Sequence, residues 1–239
     1  MTFKNLLVFV ACLSCNLIQA QQNFFNVPSS EITEKNKAFF QQQFNFFSTT
    51  SASNTTFSYG IGHHTEIGLN LLGITYDNAQ RTFIKSTINE QPVFPSFGCN
   101  AQTRLMETKV DELAIGAQVL FPTKISDAEC YTYLNNKVSL HHLKLVTGIY
   151  FGNNNYFDDK TRFSNNIQKV GIQLGVEYQL IKDKLFFQSD FISGKTAMSN
   201  LIIGGAYKCS KHAIISTGYQ IPNDKNKFAK GIILELTFI

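Results

Sequence analysis

The stretch KVGIQLGVEYQL, Lys169 to Leu180, alternates from end to end. In an extended chain successive side chains point to opposite faces, so Val170, Ile172, Leu174, Val176, Tyr178 and Leu180 share one face, and Gly171, Gln173, Gly175, Glu177 and Gln179 share the other. The even-numbered face is wholly apolar or aromatic, whereas the odd-numbered face mixes glycine with amides and a carboxylate. A strand of this kind separates an apolar medium from a polar one. The fold turns on whether the apolar medium is a protein core or lipid.

The same period recurs along the chain. Phe57, Tyr59 and Ile61 oppose Ser58, Gly60 and Gly62; after His63 and His64, Ile67, Leu69 and Leu71 oppose Glu66, Gly68 and Asn70. Further on, Leu113, Ile115, Ala117, Val119 and Phe121 oppose Glu112, Ala114, Gly116 and Gln118, and Leu143, Leu145, Ile149 and Phe151 oppose His142, Lys144, Gly148 and Tyr150. The segments LFFQSDFISG, NLIIGGAYKC, AIISTGYQIP and FAKGIILELTFI continue the pattern to the end. With weaker segments near 38–48, 81–89 and 94–107, the reading is an all-β, antiparallel up-and-down transmembrane barrel of about twelve strands, within a range of about ten to fourteen. Pro92 and Pro95 interrupt the middle of the pattern. Connections such as IKDK and SKH are short, whereas 122–137 and 152–167 read as longer polar loops, an asymmetry typical of membrane barrels.

Residues 1–20 carry Lys4, an apolar run from Leu6 to Leu13 and a polar stretch ending in Ala20, and read as a secretory signal peptide cleaved after Ala20. A lipoprotein reading would use Cys12 or Cys15, with Phe9 or Cys12 where a leucine is usual. Beyond residue 20 only Cys99, Cys130 and Cys209 remain, an odd and sparse set that is neither a disulfide framework nor a zinc site. Residues 21–37 are either a periplasmic segment ahead of the first strand or a short plug inside the barrel. Ser29 and Ser30 after Pro28 are expected to cap a turn of helix running into Glu31 and Glu34. The barrel itself is assigned to 38–239.

Alternation alone does not distinguish a membrane barrel from a soluble sandwich. The apolar faces here are nearly free of charge at mid-strand, where a lipid-facing Lys or Arg would cost roughly 2–4 kcal/mol. The last strand, with Ile232, Leu234, Leu236 and Phe238 on one face, needs a partner strand to cover its edge, which closure against the first strand supplies. Charged residues make up 16% of the chain and net charge is +4 with no basic run, which excludes nucleic acid as a partner. Trp is absent, so Phe (22) and Tyr (9) must build any interfacial aromatic belt.

The signal peptide, the short-turn meander, the DFISG and GYQIP segments and the aromatic near the end of the last strand resemble the outer-membrane β-barrel proteins of Gram-negative bacteria, in particular small barrels of transporter type. The resemblance implies outer-membrane localisation, contact with outer-membrane lipid, insertion by the barrel assembly machinery through the C-terminal strand, and passage of a small polar solute. Members of that class typically end on the aromatic itself, whereas here Phe238 is followed by Ile239.

The lumen-facing polar candidates are Glu66, Glu112, Lys144, Glu177, Asp190, Lys208 and Glu235, with Lys169 beside them. Asp190 reads either as a charge in a permeation path or as a buried partner for Lys195, Lys144 or Lys208. Inward glycines are expected to leave room for a narrow pore. Ser139 and His141 share a face two residues apart, as a barrel-wall lipid hydrolase would need, but no third partner is legible. The adjacent pairs His63–His64 and His141–His142 point to opposite faces and fit hairpin turns better than metal binding. The reading is therefore a narrow pore or transporter for small polar solutes, without catalytic residues, metal or cofactor. The alternatives are a lipid hydrolase, or a structural or adhesive barrel acting through its loops.

Overall fold

A computed structural model describes residues 24–83, 86–88, 91–93, 95–121, 128–153, 170–196 and 198–239. The expected signal peptide lies outside the described residues, as do 122–127 of the loop expected over 122–137 and 154–167 of the loop expected over 152–167.

The described residues form fifteen strands and no helix: β1 (Ala38–Phe47), β2 (Thr50–Gly62), β3 (Thr65–Asp77), β4 (Thr82–Phe83), β5 (Ser86–Ile88), β6 (Gln91–Val93), β7 (Ser96–Glu107), β8 (Asp111–Phe121), β9 (Glu129–Leu140), β10 (Leu143–Gly152), β11 (Val170–Ile181), β12 (Leu185–Ile192), β13 (Asn200–Lys208), β14 (Ala213–Pro222) and β15 (Gly231–Phe238). Twelve of them, all but β4 to β6, form a closed antiparallel wall. Closure is carried by β1, whose Phe44 stands opposite Ser53 of β2 on one side and Leu234 of β15 on the other. The wall thus has no free edge to pair with another chain.

Side chains sort across this wall in the reverse of a soluble protein. Outward, Phe57, Ile67, Leu69, Ile115, Ile172, Leu174, Ile203 and Ile232 are exposed; inward, Gln41, Gln43, Gln102, Asn135, Gln173, Gln188 and Ser216 are buried. An apolar belt of this extent is what the outer face of a membrane-spanning barrel presents. Aromatics gather at both of its margins. Phe40, Tyr59, Tyr178, Phe187, Tyr207 and Phe238 lie near one rim, and Phe46, Phe97, Phe121 and Phe151 near the other, as two interfacial girdles would.

The two rims differ. One carries connections of two to four residues, at 63–64, 108–110, 141–142, 182–184 and 209–212, and it is where the chain enters β1 and leaves β15. Apart from 48–49, the other rim carries connections of seven residues or more. His63 and His64 form a two-residue turn with φ of 52° and 56°, the pair of positive angles that a type I′ hairpin requires.

The strand count agrees with the expectation, but two assignments behind it are corrected. The segment 81–89 is no wall strand: β4 only extends the end of β3, with Tyr76 against Phe83, and β5 pairs with β6 in a separate two-stranded sheet. Conversely, most of the stretch read as a loop over 122–137 is wall strand β9, paired with β8 and β10. Its polarity explains the misreading. Thr132 and Asn136 face outward while Tyr131 and Tyr133 face inward, so the usual sorting is blurred along this one strand.

Candidate functional site: the lumen and the segment inside it

Residues 24–36 run from the rim of short turns into the lumen. Phe24, Phe25, Val27, Ser29, Ser30, Glu31 and Thr33 are all buried, and each touches the inner wall rather than solvent. The expected helical turn is not formed. Ser29 Oγ accepts from the Glu31 N–H at 3.1 Å, while Ser30 Oγ donates to the Asn135 carbonyl at 2.9 Å, so the two serines fix an extended course.

The rim end of the segment is anchored by backbone. Lys35 forms a single parallel bridge with Gly60, and the Asn36 N–H donates to the Gly60 carbonyl at 2.8 Å. Farther in, side chains of the wall replace the ladder. Glu66 accepts from the Thr33 N–H at 2.7 Å. Gln102 donates to the carbonyls of Ser29 (2.9 Å) and Glu31 (3.0 Å), and Asn135 to that of Pro28 (2.6 Å). These amides are themselves held: Tyr133 donates to Gln102, Gln173 to Asn135, and Tyr131 to Gln173 at 2.6 Å.

Asp190 closes the inner end. One carboxylate oxygen accepts three successive backbone N–H groups, from Phe25 (3.0 Å), Asn26 (2.6 Å) and Val27 (2.9 Å), the concave donor set that favours an anion. The expectation that Asp190 serves as the buried partner of Lys195, Lys144 or Lys208 is therefore corrected. Its partner is peptide backbone, because the segment brings three amide donors to it, and no ammonium pairs with it among the described residues. Beside it, Phe24 and Val27 pack on Tyr131, Val146, Tyr150 and Ile192, and Phe25 packs on Ile202 and Ile233.

The glycines of the inner wall have a use here other than opening a pore. A Cβ on Gly175 would stand 2.6 Å from the Phe24 ring, and one on Gly218 would stand 2.9 Å from the Phe25 ring. The space that those two residues leave is filled by the segment's aromatic side chains.

Charges form a chain across the wall. Arg104 of β7 meets Glu112 of β8 at 3.1 Å, Glu112 meets Lys137 of β9 at 2.7 Å, and Lys137 meets Glu31 at 2.9 Å. Glu31 then meets Lys144 of β10 at 3.0 Å, Lys144 meets Glu177 of β11 at 3.3 Å, and Gln188 of β12 donates to Glu177 at 2.7 Å. Burial pushes the Glu31 carboxyl up, but the Lys144 and Lys137 ammonium groups beside it prevail and hold it below the usual carboxylate range.

Of the candidates named from sequence, Glu112, Lys144 and Glu177 are thus joined in one network, while Glu66 and Asp190 hold the segment's backbone. Glu235 is fully buried next to Thr237, whose hydroxyl lies 3.5 Å away. Lys208 sits half-buried at the end of β13 and makes no ion pair among the described residues; Lys169 lies outside them. Sequence reasoning missed Glu31, Arg104, Gln102, Asn135, Lys137 and Gln173. Gln173 stood on the polar face read from the sequence, whereas Asn135 and Lys137 were hidden in the supposed loop.

Two other sequence expectations have a place in the structure. His141 lies in a turn with φ of 47°, its ring edge-on to His142 at 4.8 Å, and no hydrogen bond joins it to Ser139 among the described residues. Cys99, Cys130 and Cys209 are free thiols.

No family model matches the chain, and no curated protein matches it in sequence. Among solved structures it is similar to the KdgM porin, at TM-score 0.54 and 9% identity over 84% of this chain and 98% of that one. It is also similar to the NanC porin, at TM-score 0.55 and 8% identity over 85% and 100%. At these identities the likeness is one of fold.

Proposed function

We propose that the chain is exported by residues 1–20, enters an outer membrane through its C-terminal strand and the barrel assembly machinery, and forms a pore for small polar solutes that its own N-terminal segment closes. One observation carries the reading: a closed wall of twelve strands encloses a polar interior, and that interior is occupied by residues 24–36. The two aromatic girdles and the apolar belt support the membrane, and the short-turn rim then faces the periplasm. Fold likeness to two porins is in keeping with this. The inner part of the segment is attached by side-chain hydrogen bonds, the ion pairs of Glu31 and the packing of Phe24, Phe25 and Val27 rather than by a continuous strand ladder, so it is detachable without breaking the wall.

Solute flux tests the reading. Proteoliposomes holding a variant without residues 24–35 are expected to swell in small sugars and amino acids severalfold faster than those holding the full chain. Equal, protein-independent swelling for both would remove the pore.

A further inference from the structure

Glu31 occupies a site that the wall builds without it. Lys137 and Lys144 come from adjacent strands, both reach the same carboxylate oxygen of Glu31, and Lys137 is almost fully buried. Inside the lumen the network holds three cations, Arg104, Lys137 and Lys144, against two wall carboxylates, Glu112 and Glu177. Glu107, the other partner of Arg104, is half exposed at the rim. When Glu31 leaves, Lys137 keeps Glu112 and Lys144 keeps Glu177, and the carboxylate oxygen that the two ammonium groups share is gone from between β9 and β10. Its second carboxylate oxygen is buried and has no hydrogen-bond partner among the described residues, so Glu31 is held through one oxygen alone. Gln102 and Asn135, which hold carbonyls of the segment, stand beside the lysines as further donors.

We propose that the Lys137–Lys144 pair is a binding site for carboxylate-bearing solutes, and that Glu31 is a tethered stand-in for such a solute. This rests on the reading that the segment leaves the lumen, and it deepens that reading by naming the class of solute. A small organic acid can use both oxygens of its carboxylate at a site where Glu31 uses one. Solute binding and segment docking are then mutually exclusive.

The test is binding to the full chain in detergent micelles, which requires no conduction, with succinate as the probe and succinamide as its neutral counterpart. Glu31→Gln is expected to raise succinate affinity by about tenfold or more over the wild type, because a buried charge pair has lost one partner. Lys137→Met added to Glu31→Gln is expected to abolish the gain, and succinamide is expected to bind none of the variants measurably. In the wild type, where folding of a variant is not at issue, succinate but not succinamide is expected to accelerate amide hydrogen exchange at Phe25 to Val27 and at Thr33. Equal succinate affinity in wild type and Glu31→Gln, a gain that survives Lys137→Met, or equal binding of succinamide would overturn the site. Carboxylate-selective binding by a barrel that passes no solute would remove the pore and leave the site standing.

Discussion

Asp190 shows how one buried carboxylate can hold a segment of chain inside a barrel. Its three N–H partners come from successive residues of the segment, so the carboxylate does there what a strand ladder would otherwise do. Asp190→Ala leaves those three donors without a partner, at a cost of about 1–3 kcal/mol for each buried group that stays dry. The segment is therefore expected to leave the wall, read as faster hydrogen exchange at Phe25 to Val27, while heat-modifiable migration of the barrel is unchanged. Gly175 offers a steric route to the same end. Gly175→Val places a side chain where the Phe24 ring now lies, 2.6 Å from the Cβ position, and is expected to displace the segment with Asp190 intact. If both variants retain wild-type protection at Phe25 to Val27, neither contact holds the segment.

At the scale of elements, what was legible follows from what each face touches. β11 was readable in full because its outward face is apolar and its inward face polar, so Leu174 and Gln173 sort as a membrane wall requires. Leu174→Arg is expected to cost roughly 2–4 kcal/mol of barrel stability in lipid vesicles, measured by chemical unfolding, with Thr132→Arg as a comparison on a face already polar. A cost below 0.5 kcal/mol at Leu174 would mean that this face is not in lipid. β9 was not readable because its inward Tyr131 and Tyr133 answer to Phe24, Val27 and Gln102, partners that no local period announces. For the same reason Lys137, which holds the middle of the charge network, went unnoticed. The N-terminal segment carries no period, and its course is set by contacts with residues more than a hundred positions away, such as Pro28 with Asn135 and Phe25 with Asp190. Sequence patterning sees the strand walls; it does not see what fills them.

For the whole molecule, a wall of twelve strands is wider than the roughly eight-stranded barrels that side chains alone can fill and narrower than porins of about sixteen strands with an open channel. The interior is of a size at which thirteen residues of the same chain, 24–36, make the difference between a filled barrel and a passage. The segment enters from the rim of short turns, so in an outer membrane it would be governed from the periplasmic side. Single-channel conductance in planar bilayers tests this account most directly, comparing the full chain with a variant lacking residues 24–35. The account predicts a full-length barrel that is mostly closed, with brief openings, and a deletion variant that stays open at a steady, higher conductance. A deletion variant as silent as the full chain, or a full chain already open at the same level, would contradict it.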